Sequence, residues 1–194
     1  MTLIAKVVAF TTMLLTASVG QAAIIPYAAP LAPEVAGATG SGFVTVDHDT
    51  VENTLLINAN WSGLSGTTSV AHIHCCTAAP GTGTVGVAVT PGTLPGFPIG
   101  VSAGSYTSPL LDLDDAATFT ATFIATFAGG VLANADDVLL AGFNAGRAYF
   151  NIHSTTFPGG EIRGFLRAQQ IPEPATVALL ALGLAGLAFG GRRK

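Results

Sequence analysis

The chain has 194 residues, of which 49% are hydrophobic and 9% charged, with a formal net charge of −4 at pH 7. Between Ile24 and Ile171, three arginines (Arg147, Arg163 and Arg167) stand against ten acidic residues, a net −7 with no lysine. A nucleic-acid partner needs clustered positive charge to displace counterions, so this composition excludes one. The acidity serves solubility, and no EF-hand-like spacing turns the carboxylates into a cation site.

The first 23 residues read as a secretory signal peptide. Lys6 supplies positive charge, residues 7–16 form a short apolar run, and the small residues Gly20, Ala22 and Ala23 follow. Cleavage is expected after Ala22 or Ala23. The apolar run is too short to serve as a retained membrane anchor. Residues 24–40, with Pro26, Pro30 and Pro33, read as a loose N-terminal arm.

About 145 residues remain between the two ends, enough for one domain with a real core. Residues 41–48 (SGFVTVDH) and 53–61 (NTLLINANW) carry β-branched and apolar residues in partial alternation, as strands do. Residues 67–75 (TTSVAHIHC) and 84–89 (TVGVAV) follow the same pattern around a Pro80-Gly81 turn. Residues 90–109 are rich in proline and glycine and read as a long surface loop. Residues 117–127 (ATFTATFIATF) carry strand residues diluted by alanine. Residues 134–146 predict a short helix, capped by Asn134 or Asp136 and ended by Gly142 or Gly146. Residues 147–155 and 160–168 are the last two strands, joined by a Phe157-Pro158-Gly159-Gly160 turn. Seven or eight short strands with Gly/Pro turns predict an all-β, antiparallel Greek-key sandwich or barrel over residues 41–168. No period of 20–50 residues marks a repeat array.

The C-terminus adds an apolar stretch without charge, 175–191, followed at once by Arg192, Arg193 and Lys194. As a transmembrane helix it covers about 26 Å, just enough for a thin bilayer. The basic tail belongs on the cytoplasmic side, which places the domain outside.

The stretch AHIHCC (71–76) holds the most chemistry. On a strand, His72 and His74 share one face and Ile73 takes the other. Tyr149, Asn151 and His153 share a face on a later strand. If the strands are neighbours, His72, His74 and His153 converge as three nitrogen ligands, a set that suits zinc or copper with an open position. The competing reading has these histidines holding backbone carbonyls across strands. Cys75 and Cys76 are the only cysteines, and an exported protein meets an oxidising compartment. A vicinal disulfide is the preferred reading, although adjacent Cα atoms lie about 3.8 Å apart, below the usual range. An intermolecular bridge and soft copper ligation by thiolates are the alternatives.

Glu161 and Arg163, two apart on the last strand, read as a fold-specifying polar pair in which the arginine forks onto a carboxylate or carbonyls. Trp61 reads as a core anchor at a strand end. No Gly-x-Ser-x-Gly elbow, P-loop or facing carboxylate pair supplies a catalytic constellation.

Three resemblances bear on these readings. Pro172-Glu173-Pro174, the apolar span and the basic tail together resemble the PEP-CTERM sorting signal over residues 171–194. That resemblance implies a Gram-negative bacterium whose exosortase processes the chain after transient residence in the inner membrane, with delivery to the cell surface and association with exopolysaccharide. Next, His72-Ile73-His74, Tyr149/Asn151/His153 and the Gly159–Gly164 block resemble the CHRD, or chordin-like, domain over residues 41–168. This implies an immunoglobulin-like β-sandwich and little defined biochemistry; Cys75-Cys76 stand where glycine and small residues are expected. Finally, the His-x-His pair and GRAYFNIH are similar to segments of copper–zinc superoxide dismutase, in which the matching positions, His72, His74 and His153, would ligate copper. The bridging histidine-rich loop of that enzyme has no counterpart between residues 76 and 146, and the remaining histidine, His48, falls in a predicted turn. That argues against dismutase activity.

Two functions follow as expectations. One is a non-enzymatic surface or matrix protein that acts by binding or assembly with exopolysaccharide or other surface proteins. The other is a copper- or zinc-binding protein of superoxide-dismutase-like shape.

Overall fold

A computed structural model describes residues 24–169. The expected signal peptide (1–23), the expected sorting motif and the expected transmembrane span (175–191) lie outside the described residues. The strands are β1 (Ile24–Pro33), β2 (Ser41–Asp49), β3 (Thr54–Ser62), β4 (Thr68–His74), β5 (Val87–Val89), β6 (Gly104–Thr107), β7 (Leu111–Asp112), β8 (Tyr149–Ser154), β9 (Ile162–Phe165) and β10 (Arg167–Ala168). Two helices, α1 (Ala121–Phe127) and α2 (Ala135–Asn144), lie between β7 and β8. All pairings between strands are antiparallel, in the order β5-β4-β8-β9-β1-β2-β3-β6, with β10 on β1 and β7 on β3. The sheet curls into a half-barrel, within the expected all-β antiparallel class.

The strands form because their apolar residues alternate. Val44, Val46 and His48 of β2 and Leu55, Ile57, Ala59 and Trp61 of β3 face inward, with Thr45 and Asp47 between them in β2 and Leu56, Asn58 and Asn60 in β3. Their inner faces meet Ile73, Phe150, Ile152 and Ile162 in one core. Trp61 is buried at the end of β3 and stacks on Phe97 at 5.1 Å, so the loop after β5 seals this edge of the core.

The N-terminal segment differs from the expectation of a loose arm. Residues 24–33 form β1, between β2 on one side and β9 and β10 on the other. Its prolines are tolerated because of where their nitrogens point. The Pro26 carbonyl accepts from the Gln169 N–H at 2.8 Å, so Pro26, and Pro30 four residues on, direct their donor-less nitrogens toward the β9/β10 side. That side is ragged: β9 and β10 cover only Ala32, Pro33, Tyr27 and Ala28, whereas the ladder to β2 runs from Ile24 to Leu31. Tyr27, Ala29 and Leu31 then bury their side chains in the core.

Residues 117–127 also differ: a 3-10 turn and α1 replace the expected strand. Thr120 caps α1, its hydroxyl accepting from the Phe123 N–H at 3.1 Å. Phe119, Phe123 and Phe127 recur every four residues and stack at 5.7 and 5.6 Å, a helical period that the Thr/Phe alternation conceals. The expected second helix is α2, with Asn134 at its N-cap and its end at Asn144, ahead of Gly146. Gly142 does not end it; it faces the core beside Cys75 and Cys76. Leu139 and Phe143 of α2, with Phe123 of α1, are buried in the same core as the strands' inner faces. Among the described residues no single helix is long and apolar enough to cross a membrane.

Candidate metal centre

Strand β4 alternates core and site. Ala71 and Ile73 point into the core, while His72 and His74 point to the opposite face. Strand β8 lies beside it in a register that sets His72 opposite Asn151, His74 opposite Tyr149 and Val70 opposite His153. Phe150 and Ile152 fill the core, so Tyr149, Asn151 and His153 join the histidines on the outer face. The chain from residue 83 to residue 93 folds over that face, which leaves His72 and His74 buried and His153 partly so.

His72, His74 and His153 each bring one ring nitrogen to within 4.8 Å of the other two. The rings of His72 and His153 meet edge to face at 5.3 Å, and those of His72 and His74 at 5.6 Å. Tetrahedral zinc, with Zn–N bonds of about 2.0–2.1 Å, sets its ligand nitrogens about 3.3 Å apart. The three rings therefore need to close by at most about 1.5 Å, a small side-chain adjustment.

Hydrogen bonds on the far side of each ring fix which nitrogen faces inward. His72 donates through Nε2 to the Gly92 carbonyl at 2.5 Å, and His153 donates through Nδ1 to the Pro158 carbonyl at 2.8 Å. Carbonyls only accept, so the remaining atoms, His72 Nδ1 and His153 Nε2, carry lone pairs. Both are buried with no hydrogen-bond partner. A carbonyl behind the ring and a bare lone pair in front is the arrangement that metal-ligating histidines take. The two sequence readings are thus compatible: each of these rings anchors a backbone carbonyl and still has a nitrogen without a partner.

His74 is placed differently. It faces an acceptor on each side, the Val85 carbonyl at Nδ1 (2.7 Å) and Asn151 Oδ1 at Nε2 (3.1 Å). Its ring stacks on Tyr149 at 4.7 Å, nearly parallel. Burial holds its pKa below the ordinary histidine value, and burial, with the neighbouring His153 and His74 rings adding to it, lowers that of His72 to about 4. His72 is therefore neutral and able to ligate at physiological pH.

Residues outside the expected set complete the surroundings. Asn151 Nδ2 donates to Glu34 Oε2 at 3.3 Å, and Arg163 Nη1 donates to Glu34 Oε1 at 3.1 Å and to the Gly83 carbonyl at 3.0 Å. The Arg163 guanidinium lies over the rings of Tyr149 and Phe165, at 5.1 and 5.4 Å. Glu34 follows β1, and nothing in its local sequence signals a role. Asn151 shares a face with His153, and that shared face was its one sequence signal.

Glu161 and Arg163 do not pair with each other. Arg163 takes Glu34, the one salt bridge among the described residues, while the buried Glu161 accepts from the Ser65 N–H at 2.5 Å. Each finds a nearer partner supplied by a distant segment. Cys75 and Cys76 are joined by a disulfide. Their sulfurs lie against Gly142 of α2, where any Cβ would collide with them. Cys75 is buried in the core cluster, opposite the imidazoles, so sulfur is no part of the histidine group. His48, expected in a turn, is buried in β2, with Nε2 3.5 Å from Asn53 Oδ1, and is not among the clustered ligands.

Comparison with known protein families matches residues 21–166 to the CHRD domain. The chain belongs to the CHRD family. The match begins ahead of β1, so the CHRD domain includes the strand that a boundary at residue 41 would have cut away. Residues 170–194 match the PEP-CTERM protein-sorting motif, which contains Pro172, Glu173 and Pro174. This CHRD protein is accordingly an exported, membrane-anchored precursor of a Gram-negative bacterium, processed by exosortase and sorted to the cell surface. No curated protein and no solved structure matches the chain.

Proposed function

We propose that the CHRD domain acts at the cell surface as a binding module, and that its ligand is a copper or zinc ion held by His72, His74 and His153. The observation that carries this reading is the pair of buried, unpartnered nitrogens, His72 Nδ1 and His153 Nε2, on clustered rings whose other nitrogens hold carbonyls. An unsatisfied buried polar atom costs on the order of 1–3 kcal/mol, and a bound ion removes that cost. The all-nitrogen donor set suits zinc and copper over hard cations such as calcium. Dismutase chemistry is not part of the proposal, because the fourth histidine, His48, lies on β2, away from the trio.

Association with exopolysaccharide or with other surface proteins is the companion proposal. Its support is the sorting motif and the acidic, lysine-free domain, which suits solubility in a hydrated polymer layer.

The test is elemental analysis of the secreted protein, purified without a polyhistidine tag. About one equivalent of copper or zinc is expected, lost in His74→Ala and His153→Ala. A wild-type protein that takes up neither ion after reconstitution would overturn the reading.

A further inference from the structure

A three-histidine site leaves one tetrahedral position open, and Asn151 stands beside the trio. Its Oδ1 lies 3.1 Å from His74 Nε2, and the residue is almost fully buried. An asparagine presents either a carbonyl oxygen or an amino group, and its hydrogen-bond partners decide which. Here the partner is Glu34. An ionised carboxylate only accepts, so Asn151 must turn Nδ2 toward Glu34 Oε2 and its oxygen toward the histidines. Arg163 donates to the other carboxylate oxygen and holds Glu34 in place. Gly160 leaves room for this contact, since any Cβ there would overlap Glu34 Oε2 and press on Asn151 Nδ2.

Without an ion this arrangement is frustrated. His74 meets two acceptors, Val85 O and Asn151 Oδ1, and a neutral imidazole donates to only one. With an ion at His74 Nε2, the Nδ1 proton serves Val85, and Asn151 Oδ1 faces the metal as a fourth donor. Resting on the three-histidine reading above, we propose that Asn151 Oδ1 completes an N3O site. In this site Glu34, held by Arg163, is the positioning residue that keeps the amide oxygen turned inward.

The experiment measures zinc affinity by chelator competition, and the visible spectrum of the cobalt(II)-loaded protein, for the secreted wild type and three variants. Asn151→Ala should weaken zinc binding about 10–100-fold and change the cobalt spectrum. Asn151→Asp keeps an oxygen donor but loses the contact to Glu34 and sets two carboxylates together, so it should bind more tightly than Asn151→Ala and less tightly than wild type. Glu34→Gln can accept or donate, so it releases the amide and should weaken binding by about 10-fold. Circular dichroism melts of the ion-free proteins show which variants fold; if Asn151→Ala does not, the other two decide. Wild-type zinc affinity and an unchanged cobalt spectrum in Asn151→Ala would overturn the fourth donor while leaving the histidine trio intact. The same result in Glu34→Gln would overturn the positioning role. If a folded Asn151→Asp binds more weakly than Glu34→Gln and no tighter than Asn151→Ala, that also counts against the oxygen donor. If wild type binds neither ion, the trio fails first, a result distinct from all of these.

Discussion

Arg163 of β9 reaches Glu34, just beyond β1, at 3.1 Å, and so ties the N-terminal strand to the face that carries the histidines. The Glu34 side chain is only 7% exposed. Removing Arg163 leaves that carboxylate uncompensated and strips the cation from the rings of Tyr149 and Phe165. Arg163→Ala is expected to lose about 3 kcal/mol in urea unfolding. Arg163→Lys should recover only part of this, because an ammonium has no planar face to lay over the rings of Tyr149 and Phe165. Full recovery by lysine would show that charge alone matters.

The disulfide between Cys75 and Cys76 predicts an intact mass about 2 Da below that of the reduced chain, with no alkylation by iodoacetamide under non-reducing conditions. Two alkylated thiols would refute it. Gly142→Ala should destabilise the fold by about 1–3 kcal/mol, since its methyl group overlaps both sulfurs. That penalty should shrink when the sulfurs are reduced and free to separate.

Glu161 predicts an acid limb in the stability profile. Burial raises its pKa, but hydrogen bonds from Ser154, Ser65 and Gly66 together bring it below the ordinary value of 4.5. A depressed folded pKa means that the unfolded state binds protons first. The contribution is therefore fully present above pH 4.5 and lost as pH falls through the folded value. Urea midpoints taken from pH 6 downward should decline on this limb for the wild type and more shallowly for Glu161→Gln. Parallel slopes would assign the acid sensitivity elsewhere.

The sorting motif predicts where the protein stops when processing fails. Exosortase acts at the PEP-CTERM motif, so replacing Pro172, Glu173 and Pro174 with alanine should leave unprocessed precursor in the inner-membrane fraction. Immunoblots of fractionated cells check this; normal surface delivery of the variant would show that the motif is dispensable.

Local pattern made much of this protein legible. Alternation in β2 and β3, the His-x-His spacing of β4 and the turn before β9 are short-range properties, because side-chain period and turn chemistry act over a few residues. Two of the misread segments also have local explanations. Three prolines hid β1, since the ragged β9/β10 side that tolerates Pro26 and Pro30 is formed more than a hundred residues later in the chain. In residues 117–127 a period of two and a period of four coexist, and the Thr120 cap together with burial of Phe119 and Phe123 settled the contest.

The sequence by itself determined the antiparallel class, the sorting address, and the shared face of His72 and His74, all of which follow from composition, periodicity and contiguous motifs. Only the tertiary structure decided that β8 lies beside β4, that Arg163 pairs with Glu34 and not Glu161, and that Asn151 turns its oxygen toward the imidazoles. These depend on contacts between residues 77 to 129 positions apart, and a side chain's partner at that distance is set by how the sheet curls.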